Sequence, residues 1–229
     1  MNISGLQKLT LLDFPEKTAC TVFSAGCNFR CPFCHNASLV THINSDQKIT
    51  EEEFFEFLNK RKGMLDGVCI TGGEPTLQPD LPEFIKKIKD LGFLVKLDTN
   101  GYNPKLLSSL LDKGLLDYVA MDIKNSKESY KKTVDITSFD ISLIEESVEI
   151  LKMGRVPFEF RTTVVRQLHT ADDILNIGKW LGSDAKYFLQ VFKDSGDLIE
   201  QGLSGYDEKE MQNLLKMLQN VVPNAKIRG

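Results

Sequence analysis

Three cysteines, Cys27, Cys31 and Cys34, stand at C-x3-C-x2-C spacing within Gly26-Cys27-Asn28-Phe29-Arg30-Cys31-Pro32-Phe33-Cys34-His35-Asn36. That spacing lets the thiolates of one short loop converge on a compact metal cluster. Iron–sulfur clusters are held by cysteine thiolates, usually four of them. Three close thiolates without a fourth leave one iron open to a ligand from outside the protein, as catalytic zinc sites keep one position open. Cys20 and Cys69 do not supply the fourth: both sit among Ala, Val and Ile, where cysteine packs as a small hydrophobe. His35 offers a Cys3His zinc site as the alternative, but the second knuckle of a zinc ribbon or finger is missing.

A further set of polar and glycine-rich residues follows the apolar runs: Thr71-Gly72-Gly73-Glu74, Asp98-Thr99-Asn100-Gly101, Asp122-Ile123-Lys124 and Gln190. Any one of these reads as turn chemistry, because Gly, Asn and Asp favour turns for backbone reasons. Four at the same end of successive strands point instead to a binding rim, since the carboxyl ends of strands carry the active site in β/α barrels.

The elements that must position these residues are legible as apolar runs alternating with amphipathic stretches, the pattern of β–α units on a parallel sheet. Strands are predicted at 19–24, 67–71, 93–98, 118–122, 157–164 and 187–192, rich in Val, Ile, Leu or Phe with little polar alternation, as for strands buried on both faces. Between them, Leu81, Phe84, Ile85, Ile88 and Leu91 form a single apolar helical stripe. Ile141, Ile144, Val148 and Leu151 repeat that spacing, as do Met211, Leu214, Leu215 and Leu218. Thr50 and Glu53 read as a capping box opening a helix, and Trp180 as a core residue on another. His42 and His169 fall in predicted loops and read as solvated. The 229 residues accommodate about six such units, short of the roughly 250 residues of an eight-stranded barrel. The expected architecture is therefore α/β, an incomplete (β/α)6 TIM-like barrel. It is read as one domain over 1–229, with its core at about 17–195 and a C-terminal helix and short tail at about 206–229.

Composition narrows the function classes. A net charge of −4 and a pI near 5.5 argue against nucleic acid as a partner. No signal peptide is evident at the N-terminus and no apolar run approaches the roughly 20 residues of a membrane span, so a cytoplasmic location is expected. Five cysteines, an odd number crowded toward one end, suit metal ligation in a reducing compartment better than a disulfide framework.

The triplet, with Phe33 before its last cysteine, resembles the C-x3-C-x-Φ-C signature of the radical S-adenosylmethionine (SAM) superfamily. Gly72-Gly73-Glu74-Pro75 on the next β–α turn strengthens the resemblance. It implies a [4Fe–4S] cluster on Cys27, Cys31 and Cys34, chelated by the SAM amino and carboxylate groups, and reductive cleavage of SAM to methionine and a 5′-deoxyadenosyl radical. It assigns Gly72, Gly73 and Glu74 to the SAM amino group and Phe33 to the adenine. Asn100 joins the cofactor-binding set, and Arg161 and Gln190 approach ribose or carboxylate. Arg161 reads equally as a strand-end ion pair, and no side chain is required as a catalytic acid or base.

Cys34-His35-Asn36, Asp98-Thr99-Asn100-Gly101 and Met121-Asp122-Ile123-Lys124 together look like the glycyl radical enzyme activases. That resemblance implies a monovalent cation held with the help of Asp98 and Asp122 beside the SAM carboxylate, with Lys124 positioned for SAM. Hard oxygen ligands suit such a cation; turn bonding or helix capping is the other reading of the two aspartates. The stretch from Gly5 to Lys17, running into Cys27, is similar to the anaerobic ribonucleoside-triphosphate reductase activating proteins, and the likeness extends to about Gln190. Without a cysteine-rich insertion, a single cluster is expected. The implied partners are the anaerobic reductase, whose glycine Cα loses hydrogen, and flavodoxin or ferredoxin as electron donor. Two alternatives stay open: an activase of another glycyl radical enzyme, and a small-molecule radical SAM enzyme of the 7-carboxy-7-deazaguanine synthase-like kind.

Overall fold

The computed structural model describes residues 1–41 and 49–229. Strand β1 (Ile3–Thr10) runs antiparallel to β2 (Ala19–Ser24). From β2 onward every pairing is parallel, through β3 (Gly67–Gly72), β4 (Leu94–Thr99), β5 (Tyr118–Asp122), β6 (Phe158–Val164), β7 (Tyr187–Val191) and β8 (Lys226–Arg228). Each strand lies beside its neighbour in sequence, so β1 and β8 are the two edges of one sheet. Residues from both edges, Gln7 and Arg228, line one cavity with residues of the strands between them, so the sheet curls around that cavity as a partial barrel.

The six predicted strands are β2 to β7. Their apolar runs are nearly all buried, as in Val68, Cys69 and Ile70 or Val119, Ala120 and Met121. Two further strands escaped prediction. β1 is an edge strand whose middle, Gln7 to Leu9, is exposed, so it lacks the apolar run of a central strand. β8 is three residues long, too short for a periodic pattern.

Helices α1 (Ala37–Thr41), α2 (Glu51–Asn59), α3 (Leu81–Asp90), α4 (Pro104–Asp112), α5 (Lys127–Val134), α6 (Ile141–Lys152), α7 (Ala171–Leu181) and α8 (Glu208–Leu218) complete the described chain. The apolar stripe of α3 is buried at Leu81, Phe84, Ile85 and Ile88. In α6 the buried positions include Ile144, Val148 and Leu151, and in α8 Met211, Leu214 and Leu218. The capping box at Thr50 and Glu53 is formed in both directions, and equivalent boxes open α7 at Thr170 and Asp173 and α8 at Asp207 and Glu210. Trp180 packs partly buried against the core, edge-on to Tyr130 at 6.4 Å. Among the described residues no helix is long and apolar enough to cross a membrane. His42 lies outside the described residues.

Candidate active site

The cysteine loop follows β2 and is pinned to the turn after β3. Gly73 N–H donates to Ser24 O at 2.9 Å, Glu74 N–H to Gly26 O at 2.7 Å, and Asn36 Nδ2 to Gly72 O at 3.0 Å. This approach is so close that only glycine fits. A Cβ on Gly73 would stand 2.0 Å from Gly26 O; one on Gly72, whose φ is +116°, would stand 2.3 Å from Ser24 N. The paired glycines therefore bring the two loops together, whatever else they touch.

Cys27, Cys31 and Cys34 line a cavity of about 490 Å³ together with Phe33, Gly72, Gly73, Glu74, Asp98, Asn100, Asp122, Lys124, Arg161 and Gln190. Every site residue singled out in the sequence thus borders one space. Burial pushes the Cys27 thiol up to about 11, with Glu74 adding to it, and the Cys31 thiol up to about 12, while Lys124 works against burial at both. Phe29 N–H points at Cys27 Sγ at 3.4 Å. Asn100 Nδ2 bonds Asn28 Oδ1 at 2.8 Å and stands 3.9 Å from the same sulfur. Among the described residues no three His, Cys, Asp or Glu side chains are grouped to hold one metal ion, and His35 is instead stacked on Phe192 at 5.4 Å. The Cys3His zinc arrangement is therefore not assembled. Three thiols that line one cavity fit a multi-iron cluster, in which each thiolate takes a different iron.

Glu74 is 1% exposed. Its Oε1 accepts from Thr76 N–H at 3.1 Å, Thr76 Oγ1 at 2.6 Å and Thr99 Oγ1 at 2.8 Å, and its Oε2 from Asn100 N–H at 2.7 Å. Burial raises this carboxyl despite those four donors, which pull the other way. The expected ammonium ligand is thus also a tie between the turns after β3 and β4.

Charged side chains of opposite sign pair across β4, β5, the residues just after β5, and β6. Lys96 pairs with Asp98 Oδ1. Arg161 Nη1 reaches Asp98 Oδ2 at 3.1 Å, and its Nε and Nη2 reach Asp122 Oδ1 at 3.0 and 2.9 Å. Lys124 Nζ meets Asp122 Oδ2 at 3.0 Å. Burial opposes ionisation of both carboxyls, but Arg161 and Lys124 outweigh it at Asp122, holding it down at about 2; Arg161 and Lys96 depress Asp98 in the same way. Arg161, read from sequence as either an ion pair or a ligand contact, forms the ion pair and also lines the cavity. Lys96 was not singled out. Its signal was a lone lysine among the apolar residues of 94–97, and it is 1% exposed.

His169 corrects the reading of a solvated loop histidine: it is 1% exposed. Its Nδ1 accepts from Val165 N–H at 3.0 Å, which leaves the proton on Nε2 to donate to Lys124 O at 2.8 Å. Burial lowers its pKa despite these bonds, so the neutral ring positions the segment that carries Lys124. It also packs edge-on to Phe33 at 6.1 Å, and Lys124 Nζ lies 5.9 Å from the Phe33 ring centre.

Residues 21–181 match the family model of the radical SAM superfamily. The chain belongs to that superfamily. As a radical SAM enzyme it is similar to a Methanocaldococcus jannaschii protein whose provisional name is glycyl-radical enzyme activating enzyme, with 33% identity over 232 residues, covering 99% of this chain and 95% of that one. It is also similar to a provisionally named GTP 3′,8-cyclase of Saccharolobus solfataricus, 29% identical over 198 residues that cover 80% of this chain and 62% of that one. A domain of pyruvate-formate lyase-activating enzyme from Bacteroides vulgatus superposes with a TM-score of 0.54 at 18% identity, covering 71% of this chain and 99% of that domain. At that identity it bears on the fold alone, and it supports the partial barrel of a radical SAM core.

Proposed function

We propose that this radical SAM enzyme is a glycyl radical enzyme activase, and that its partner is an anaerobic ribonucleoside-triphosphate reductase. The observation that carries the reading is the 33% identity to the activating enzyme of M. jannaschii across 99% of this chain and 95% of that protein. The cavity agrees with it, because the segments Asp98-Thr99-Asn100-Gly101 and Asp122-Ile123-Lys124 that suggested an activase both border the cysteine loop. The weaker, partial likeness to a cyclase favours the small-molecule alternative less.

A [4Fe–4S] cluster on Cys27, Cys31 and Cys34, reduced by flavodoxin or ferredoxin, would supply the electron that splits SAM into methionine and a 5′-deoxyadenosyl radical. The protein's own contribution is positioning and exclusion of water. The backbone of Gly72 and Gly73 and the carboxylate of Glu74 receive the SAM amino group. Lys124 and Arg161 face its carboxylate, Phe33 and Asn100 border the nucleoside, and Gln190 closes the side toward β8. A glycine Cα, unshielded by any side chain, reaches the cavity from a partner loop that leaves its own fold.

The test is to mix the anaerobically reconstituted enzyme with SAM, reductant and the purified reductase. A glycyl radical signal in electron spin resonance is expected, and its absence while SAM is cleaved would sink the activase reading.

A further inference from the structure

Asp98 and Asp122 are the carboxylates that the activase resemblance assigns to a monovalent cation, and their surroundings do not suit one. Each of their four carboxylate oxygens is already bonded to a protein cation. Asp98 Oδ1 takes Lys96 and Oδ2 takes Arg161 at 3.1 Å; Asp122 Oδ1 takes Arg161 at 2.9 Å and Oδ2 takes Lys124 at 3.0 Å. The Arg161 guanidinium lies between the two carboxylates and bridges them.

This bridge is built into the sheet. Arg161 on β6 is the direct cross-strand partner of Asp122 on β5, and Asp98 on β4 is registered one strand further along against Ala120. Side-chain exposure is 12% for Arg161, 13% for Asp98 and 1% for Lys96, so water competes little at the Asp98 end, while Lys124 and Asp122, at 20% and 29%, are more open. Arginine stays charged throughout the working pH range, and its planar fork matches two carboxylates without a metal's need to shed water. Charge tells the same story. Lys96, Arg161 and Lys124 already face these two carboxylates, so neither carboxylate lacks a cation partner for an alkali ion to supply. The aminocarboxylate of SAM would arrive beside Lys124 and Arg161, which both line the cavity.

We propose that in this protein the guanidinium of Arg161 takes the place of a monovalent inorganic cation between Asp98 and Asp122, so that SAM binds without any alkali metal ion. The inference rests on the reading of the cavity as a SAM site. It assigns Arg161 a positioning role: it sets the spacing of the two carboxylates and thereby the seat of the SAM carboxylate.

The test is calorimetric titration of SAM into the anaerobically reconstituted holoenzyme. Three buffers of equal ionic strength are compared, in which the added cation is tetramethylammonium, Na⁺ or K⁺. The expected result is a Kd constant within about twofold across the three. A loss of about tenfold in tetramethylammonium that K⁺ or Na⁺ reverses would overturn the proposal. Arg161→Gln, accepted only if its cluster absorption matches that of the parent, should bind SAM more weakly in tetramethylammonium and recover with K⁺. A variant with parental affinity in all three buffers would remove Arg161 from the assignment. If the cluster is loaded and SAM binds in no buffer, the SAM reading of the cavity falls and the inference with it. SAM binding without a radical on the reductase leaves the inference standing and removes only the activase reading.

Discussion

Asn100 donates its backbone N–H to Glu74 Oε2 at 2.7 Å, a bond that spans 26 residues and joins two glycine-rich turns. With Thr99 Oγ1 on the other oxygen of the same carboxylate, Glu74 gathers the turn after β4 onto the turn after β3. Asn100 in turn reaches Asn28, beside Cys27. One buried carboxylate thus relates the two turns to the cysteine loop. Oε2 carries a single donor and keeps a lone pair for a ligand ammonium, so tying and binding are compatible in one side chain.

Glu74→Gln tests that tie. The amide replaces one acceptor oxygen by a donor, and that NH2 must face Asn100 N–H or the Thr76 and Thr99 groups. A buried donor left opposite donors costs about 1–3 kcal/mol. Urea unfolding should show a loss of that size, and SAM titration should show weaker binding. Unchanged stability with weakened SAM binding would mean that the carboxylate serves the ligand alone.

Gly73→Ala tests the close approach of the loops. The new Cβ would meet Gly26 O at 2.0 Å, a backbone atom that cannot rotate away. Overpacking of this kind costs about 1–3 kcal/mol, and here it pushes the cysteine loop from its seat, so iron content after reconstitution should fall along with stability. Gly5→Ala is the control, since its Cβ would meet Phe23 no closer than 3.4 Å. Full iron loading in Gly73→Ala would contradict the account.

What was legible in the sequence follows from range of interaction. The six central strands and the stripes of α3, α6 and α8 are local patterns, readable because burial on fixed faces repeats at fixed spacing. The cysteine loop and the strand-end motifs were also local, and all of them border the cavity. Cys20 and Cys69, read as core, are fully buried. Lys96, His169 and the second role of Glu74 were not legible, because each depends on a partner from another strand or turn. His169 sits in a loop by sequence, yet its ring is buried by contacts with Val165, Lys124 and Phe33. That Arg161 bridges Asp122 and Asp98 was likewise not legible, because it required the register of β5 against β6.

Acid should weaken the protein through Asp122. Arg161 and Lys124 overcome the effect of burial and hold its carboxyl at about 2, below the roughly 3.9 of an unfolded aspartate. The unfolded chain therefore binds more protons in that interval. The contribution is complete above about pH 4 and is lost as pH falls toward 2, amounting to on the order of 2 kcal/mol. Glu74, raised by burial, acts in the opposite sense, so the informative comparison is between the parent and Asp122→Asn. On the metal-free chain, urea unfolding at pH 6 and pH 3 should show a larger drop for the parent; equal drops would exclude Asp122 as a source of acid sensitivity.

Cys31→Ala separates the ligand cysteines from the packing ones. Cys31 is 6% exposed, and burial pushes its thiol up to about 12 even though Lys124 favours the thiolate. Only metal would hold that sulfur as an anion in so dry a place, because ligation releases the proton. Removing it should strip the cluster, lower the bound iron and the brown absorption, and abolish 5′-deoxyadenosine formation with SAM and reductant. Cys20→Ala is the matched control. Cys20 is also buried, at 0% exposed, and burial likewise pushes its thiol up to about 12, but it lies in β2 among core side chains and away from the cavity lining. It should keep full iron and SAM cleavage while losing a modest amount of stability to the small void. Equal 5′-deoxyadenosine from Cys31→Ala and the parent would refute cluster-based chemistry at this loop. Loss of iron in Cys20→Ala would mean instead that the loop depends on the packing beneath it.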